Sequence, residues 1–191
     1  MNIEEILSDR AWKVYVTASE VARHRRDDKI TPEHLLWAVG LCGYAQPTYA
    51  DLFGWIDVFG NNAGFILGNV SEIKSEYFFS VLMEEQPWLG WEEAGREIER
   101  GWNKISYGLD GGKRDLKELL PLNIESKKVV EYAYNYARRR EKIERDFFIT
   151  TSDLLLGLVS ATDGESTCAR VFKRCGISSS GTHETIEELG V

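Results

Sequence analysis

Apolar residues recur at every third or fourth position along most of this chain, which is the spacing of an amphipathic helix. One helix start is written with particular clarity: Thr31 is a good N-cap, Pro32 occupies the first helical position, and Glu33 faces the positive end of the helix dipole. No stretch shows sustained alternation of apolar and polar residues. The sequence therefore predicts an all-α fold, with helices that begin near Ser8, Thr31, Thr48, Val70, Trp91, Asn123, Thr150 and Ser166 and a marginal one around Glu184 to Leu189.

The pattern contains an internal duplication. Residues 29–39 and 148–158 are two copies of one helix start, each with Ile-Thr ahead of an apolar run. The preceding helices match in register from Leu7 and Leu122 onward, and the segments that follow match as well. Because three consecutive blocks agree in order, we predict one helical unit written twice. The alternative is two unrelated helix pairs that share leucine, alanine and arginine.

Residues 70–120 have no counterpart in the second copy. We predict a first repeat over residues 1–69, a helical insertion over 70–120 and a second repeat over 121–191, all within one compact domain. The insertion carries Trp88, Trp91 and Trp102. Tryptophan is enriched at binding hot spots, so these residues are candidates for a partner-binding surface. The alternative is that they cover the core of an enlarged domain.

Composition and charge narrow the classes of partner. The formal net charge of −8 argues against duplex nucleic acid, which requires a basic face. No apolar run approaches the roughly 20 residues that a membrane-spanning helix needs. The N-terminus is acidic and unlike a signal peptide, and the three cysteines lack metal-type spacing. We therefore expect a cytoplasmic protein with reduced thiols, no bound metal and no membrane partner.

The sequence offers no catalytic motif. The glycine-rich loop over residues 108–112 lacks the spacing of a phosphate loop, and Arg114 stands where Ser or Thr would bind magnesium. His34 follows Glu33, but no Ser or Cys lies in a recognised nucleophile motif. We predict that His34 is a structural residue that links its helix to a neighbour. The chain is expected to be non-catalytic and to need no cofactor.

The duplicated frame resembles a known family. The residues that carry the resemblance are Leu7-Ser8-Asp9-Arg10-Ala11, Ile30-Thr31-Pro32-Glu33-His34-Leu35-Leu36 and Ala169-Arg170-Val171-Phe172. Together they look like the repeat of the Clp N-terminal domain, which precedes the ATPase modules of ClpA-, ClpB- and ClpC-type protein unfoldases. The resemblance implies two four-helix repeats with pseudo-two-fold symmetry. The long middle segment departs from the family pattern.

The resemblance also implies a candidate ligand pocket. In ClpC-type members the helix starts form pockets for phosphoarginine, so Glu33 would face the guanidinium and the helix start at Ser8 would hold the phosphate. The second copy has Asn123 at the cap but Ser152 in place of Glu33, which argues against a second pocket. The alternative is that Glu33 is only a first-turn partner of the helix dipole.

Three functions follow from these observations. The resemblance implies a protein-binding module that docks substrates or adaptors of a Clp-type unfoldase. A second hypothesis is an inhibitor or immunity-type protein that sequesters one specific partner through the aromatic insertion. A third is an N-terminal fragment of a larger AAA+ unfoldase.

Overall fold

A computed structural model describes residues 3–44, 75–106, 119–140, 148–162 and 164–189. The secondary structure of these ranges is helical, apart from two isolated β-bridges, so the all-α prediction is confirmed. The helices are α1 (Ile3–Ile6), α2 (Asp9–Arg25), α3 (Pro32–Tyr44), α4 (Ser75–Glu85), α5 (Trp91–Ser106), α6 (Ile124–Arg140), α7 (Thr151–Ala161), α8 (Thr167–Arg174) and α9 (Ser179–Leu189).

The two β-bridges relate the two copies of the repeat. Leu7 of the first copy pairs with Ile149 of the second, and Ile30 of the first pairs with Leu122 of the second. In the sequence register Leu7 corresponds to Leu122, and Ile30 corresponds to Ile149. Exchanging the copies therefore exchanges the bridges. This is the pairing that a pseudo-two-fold axis between the repeats requires.

Hydrogen bonds at the helix starts follow the same symmetry. The backbone N–H of Ser8 donates to the carbonyl of Ile149 at 3.0 Å, and the N–H of Asn123 donates to the carbonyl of Ile30 at 2.9 Å. Both residues also cap their helices: Ser8 Oγ accepts from Ala11 N–H at 3.2 Å, and Asn123 Oδ1 accepts from the N–H three residues on at 2.7 Å. The predicted caps at Ser8 and Asn123 are confirmed.

Within each repeat the first long helix packs on the second. The most extensive helix contacts join α2 with α3 and α6 with α7. Small residues make the close approach possible, since Ala18, Ala22, Ala133 and Ala137 are fully buried. At Gly157 of α7, an added Cβ would lie 3.1 Å from the backbone nitrogen of Ala133 and closer still to the carbonyl oxygen of Val129. The core of the molecule therefore depends on small residues at its helix crossings.

Helices α4 and α5, which lie in the predicted insertion, pack on helices of both predicted repeats. Helix α4 contacts α3 and α8, and α5 contacts α2. The apolar face of α4 is fully buried at Phe78 and Leu82. On the α8 side, Arg170 and Arg174 reach the carboxylate of Glu85 at 2.7 and 3.1 Å. Helices α4 and α5 are thus part of the folded body, and α4 contacts α3 on one side and α8 on the other.

Some predicted features differ from the structure or fall outside it. Helix α3 continues to Tyr44, through Gly40 and Gly43. Helix α9 begins at Ser179, ahead of the predicted start near Glu184. The predicted helix from Thr48 and the repeat boundary near residue 70 lie outside the described residues.

Candidate protein-binding site

The start of α3 is organised by His34, whose side chain is 1% exposed. Its Nδ1 accepts the backbone N–H of Thr31 at 3.1 Å, and its Nε2 lies 3.0 Å from a carboxylate oxygen of Asp27. This arrangement places the ring proton on Nε2. Burial lowers the pKa of His34, although the negative charge of Asp27 acts in the opposite direction. His34 has the structural role predicted for it, because it ties the start of α3 to the turn after α2.

Glu33 and Ser8 lie at helix starts that pair with the opposite repeat. Glu33 is half-buried in the first turn of α3, next to the strand-like contact between Ile30 and Leu122. The pKa of the Cys168 thiol on α8 is raised mainly by burial, and the negative charge of Glu33 raises it further. Ser8 lies beside Ile149 at the start of α7. Among the described residues, no hydrogen bond joins Ser8 to Glu33.

The second copy of the helix start is closed by a carboxylate. Asp153, at the position of His34, accepts the N–H of Thr150 at 2.8 Å and completes a capping box. The guanidinium of Arg140 lies 3.2 Å from the same carboxylate. Burial is the largest influence on Asp153 and raises its pKa. Its carboxylate therefore serves the α7 cap.

The tryptophans of the insertion meet the core at Trp37. The ring of Trp88 meets the ring of Trp37 edge-on at 5.1 Å, and the ring of Trp91 lies 5.7 Å from it. Trp88 is 7% exposed and Trp91 is half-buried. This packing accounts for both side chains as cover of an enlarged core, so their partner-binding role stays a prediction. Trp102 lies on α5, and its side chain is outside the described part of the structure.

A groove of about 720 Å³ lies between α2 and α6. Its walls are mainly apolar, and Lys127 and Glu131 supply one charge of each sign. Tyr15 and Val130, which correspond in the two repeats, both line it. The residues of the groove are Ile3, Tyr15, Leu122, Lys127, Val130, Glu131, Tyr134 and Asn135. The groove is not apparent from the sequence, although the register of the two copies already pairs Tyr15 with Val130.

A second cavity, of about 410 Å³, lies between α6, α7 and α9. Arg139 and Arg140 line it, but so do Asp153 and Glu187. These charges balance, so the cavity has no net attraction for an anion. Of the two cavities, the groove between α2 and α6 is the better candidate for docking a protein segment.

The described part of the chain contains no group of three or more His, Cys, Asp and Glu side chains placed to hold a metal ion. None of its helices is both long enough and apolar enough to cross a membrane.

Comparison with known proteins places the fold. No family model matches the sequence, and no curated protein matches it either. Among solved structures, the N-terminal domain of the caseinolytic protease associated chaperone ClpD from Arabidopsis thaliana has a TM-score of 0.52 and 17% sequence identity, and the match covers 100% of this chain and 98% of that chain. The Hsp104 N-terminal domain from Candida albicans has a TM-score of 0.45 and 17% identity, over 97% of this chain and 93% of that chain. On the ClpD match, which spans the whole chain, the chain has the fold of a Clp N-terminal domain.

Proposed function

We propose that the chain is a non-catalytic protein-binding module that docks substrates or adaptors of a Clp-type unfoldase. The observation that carries the proposal is the fold, which matches the N-terminal domain of a protease associated chaperone along the whole chain. A cytoplasmic location fits the three free cysteines, Cys42, Cys168 and Cys175, because disulfides are rare in reducing compartments.

The groove between α2 and α6 is the docking surface we propose. Its apolar walls suit an extended apolar segment of an unfolded client, while the pair of opposite charges adds no net bias for acidic or basic peptides. Two tyrosines on α6 provide a matched test. Tyr134 lines the groove, whereas Tyr132 is 45% exposed and is not among its lining residues.

Tyr134→Ala should weaken binding of fluorescently labelled casein, a permanently unfolded protein, by about tenfold, which corresponds to roughly 1.4 kcal/mol. Tyr132→Ala should leave the affinity within about twofold of the wild type, because its side chain lies outside the groove. Fluorescence anisotropy measures both, with circular dichroism to verify that the variants fold. Equal loss in the two variants, or no saturable binding by the wild type, would remove the groove from the proposal.

A pull-down separates docking from sequestration. Recovery of unfoldase subunits together with diverse clients supports the docking role. Recovery of one stoichiometric toxin or enzyme instead supports the inhibitor hypothesis. That hypothesis relies on the aromatic insertion, where the burial of Trp88 leaves little of the ring for a partner. A gene that continues into ATPase modules would make the chain the docking domain of one larger unfoldase.

Glu33 provides a separate test of the ligand. If the start of α3 binds phosphoarginine, calorimetry with the free compound should detect binding at millimolar concentration, and Glu33→Gln should weaken it by about tenfold, the scale of one charge-assisted hydrogen bond. Ser8→Ala should weaken it as well if both residues contact one ligand. Absence of heat, or equal binding by Glu33→Gln, would restrict Glu33 to its role in the first turn of the helix.

A further inference from the structure

We propose that the start of α3 is held by neutral His34 and is released when His34 takes up a proton, whereas the equivalent start of α7 is held by a lock of different chemistry. This pH-dependent contact of His34 is separate from the docking function, and its test does not depend on any partner.

The hydrogen bond that His34 accepts from the backbone of Thr31 requires the neutral ring. Nδ1 must carry a free lone pair to accept the backbone N–H of Thr31 at 3.1 Å, and Nε2–H donates to Asp27 at 3.0 Å. A proton added to Nδ1 would oppose the Thr31 N–H, donor against donor, and Nδ1–H could then donate only to Thr31 Oγ1, which lies 3.3 Å away. At 1% exposure the ring is shielded from water, so solvent does little to compensate for the bond to the Thr31 N–H. Protonation therefore breaks the bond that closes the first turn of α3.

Few charged groups act on this ring. Asp27 and Glu33 favour the imidazolium, while Arg25 disfavours it, and burial disfavours it most. Helices α4, α6, α7 and α8 also pack on α3, but in the described ranges none of them brings a charged group that acts on His34. The nearby Cys168 thiol of α8 is neutral, since its pKa is raised by burial.

The equivalent helix start in the second repeat has different residues in place of His34 and its neighbours. Asp153 occupies the position of His34, and Arg140 occupies the position of Arg25 in the repeat register. Asp153 accepts the N–H of Thr150 at 2.8 Å and pairs with Arg140 at 3.2 Å. In the first repeat, where histidine replaces the carboxylate, Nε and Nη1 of Arg25 make no hydrogen bond, and Nε lies 3.8 Å from the carboxylate of Asp27. One repeat is thus closed by a histidine and the other by an aspartate–arginine pair.

The direction of the pH effect follows from linkage. The pKa of His34 is lower in the folded state than in the unfolded chain, where it is about 6.5. The unfolded state therefore binds the proton more tightly, so His34 stabilises the fold above that pH. This contribution is lost as the pH falls from about 6.5 through the lowered folded-state value.

His34→Gln isolates the device. Glutamine is an established partner in a capping box, so it can accept from Thr31 without titrating. Urea unfolding of wild type and variant between pH 7.5 and pH 5 should show the wild type losing stability more steeply. The stability advantage of the wild type over this variant should therefore shrink with acid. His183→Gln, which changes an exposed imidazole on α9, should keep the wild-type decline. Parallel curves for wild type and His34→Gln would overturn the proposal.

Asp27→Asn tests the same device from the other side. Its side-chain oxygen can still accept from Nε2–H, but the negative charge that favours the imidazolium is gone. The pH range over which the protein loses stability should consequently move to lower values, and a shift to higher values would contradict the proposal.

NMR of the wild type gives a measurement that needs no variant. The Thr31 amide should change in step with the His34 ring, and the Thr150 amide should not follow that titration.

Discussion

Trp37→Ala should lower the free energy of unfolding by about 3–5 kcal/mol, the usual cost of truncating a buried tryptophan to alanine. Trp37 is fully buried, and its ring meets Phe79, Trp88 and Trp91 at centroid distances of 5.9, 5.1 and 5.7 Å. Its Nε1–H also donates to Gln86 Oε1 at 2.9 Å. The substitution leaves a cavity where the insertion joins the first repeat and an amide oxygen without its donor.

Urea denaturation measures the effect, and two further variants define it. Leu89→Ala, at a side chain 93% exposed next to Trp88, should change stability by no more than about 0.5 kcal/mol. Trp37→Phe keeps an aromatic ring but loses the hydrogen bond to Gln86. Its loss of stability should therefore lie between those of Trp37→Ala and Leu89→Ala. If Trp37→Ala cost no more than Leu89→Ala, the insertion would not depend on this contact.

Gly157→Ala should destabilise the protein by about 1–3 kcal/mol, although alanine is the better helix former by about 1 kcal/mol. The new methyl group would meet the carbonyl oxygen of Val129, and it would lie 3.1 Å from the nitrogen and 3.2 Å from the Cβ of Ala133. Two of these atoms belong to the backbone of α6 and cannot rotate away. Helices α6 and α7 must therefore separate, which loosens the most extensive helix contact of the second repeat.

Gly164→Ala is the matched control. An added Cβ there meets nothing within 4 Å, and Gly164 is not one of the glycines with positive φ. This substitution should be neutral or should stabilise by about 0.4–1 kcal/mol, because it restricts the unfolded chain. The two glycine variants are thus expected to have effects of opposite sign. If Gly157→Ala were as stable as the wild type or more stable, the crossing of α6 and α7 would have space for a methyl group.

Several parts of the fold were predictable because they depend on neighbours in the chain. Ser8, Asn123 and Ser166 cap helices as predicted, since a cap residue bonds to an amide only three positions away. The duplication was visible for the same reason: each copy of the helix start repeats the local pattern that nucleates it. The resemblance to Clp N-terminal domains came from those local patterns, and it is confirmed at the level of fold.

The candidate surfaces were less predictable, because they depend on residues far apart in the chain. The groove brings Tyr15 together with Tyr134, and no local pattern reports that distance. Trp88 was predicted either to bind a partner or to cover the core, and only its contact with Trp37 accounts for its burial. His34 was predicted to link two elements, but the identity of its acceptor, Asp27, came from the structure.

By itself, the sequence determined that the chain is helical, where most of its described helices begin, and that one unit occurs twice, because spacing and capping act within a few residues. Only the tertiary structure decided that each repeat closes the other through the paired bridges at Leu7 and Ile30, and that the insertion is anchored on Trp37. The same pattern of apolar positions is compatible with several packings of the helices. The choice among them depends on which side chains fit together and which backbone groups find partners across the molecule.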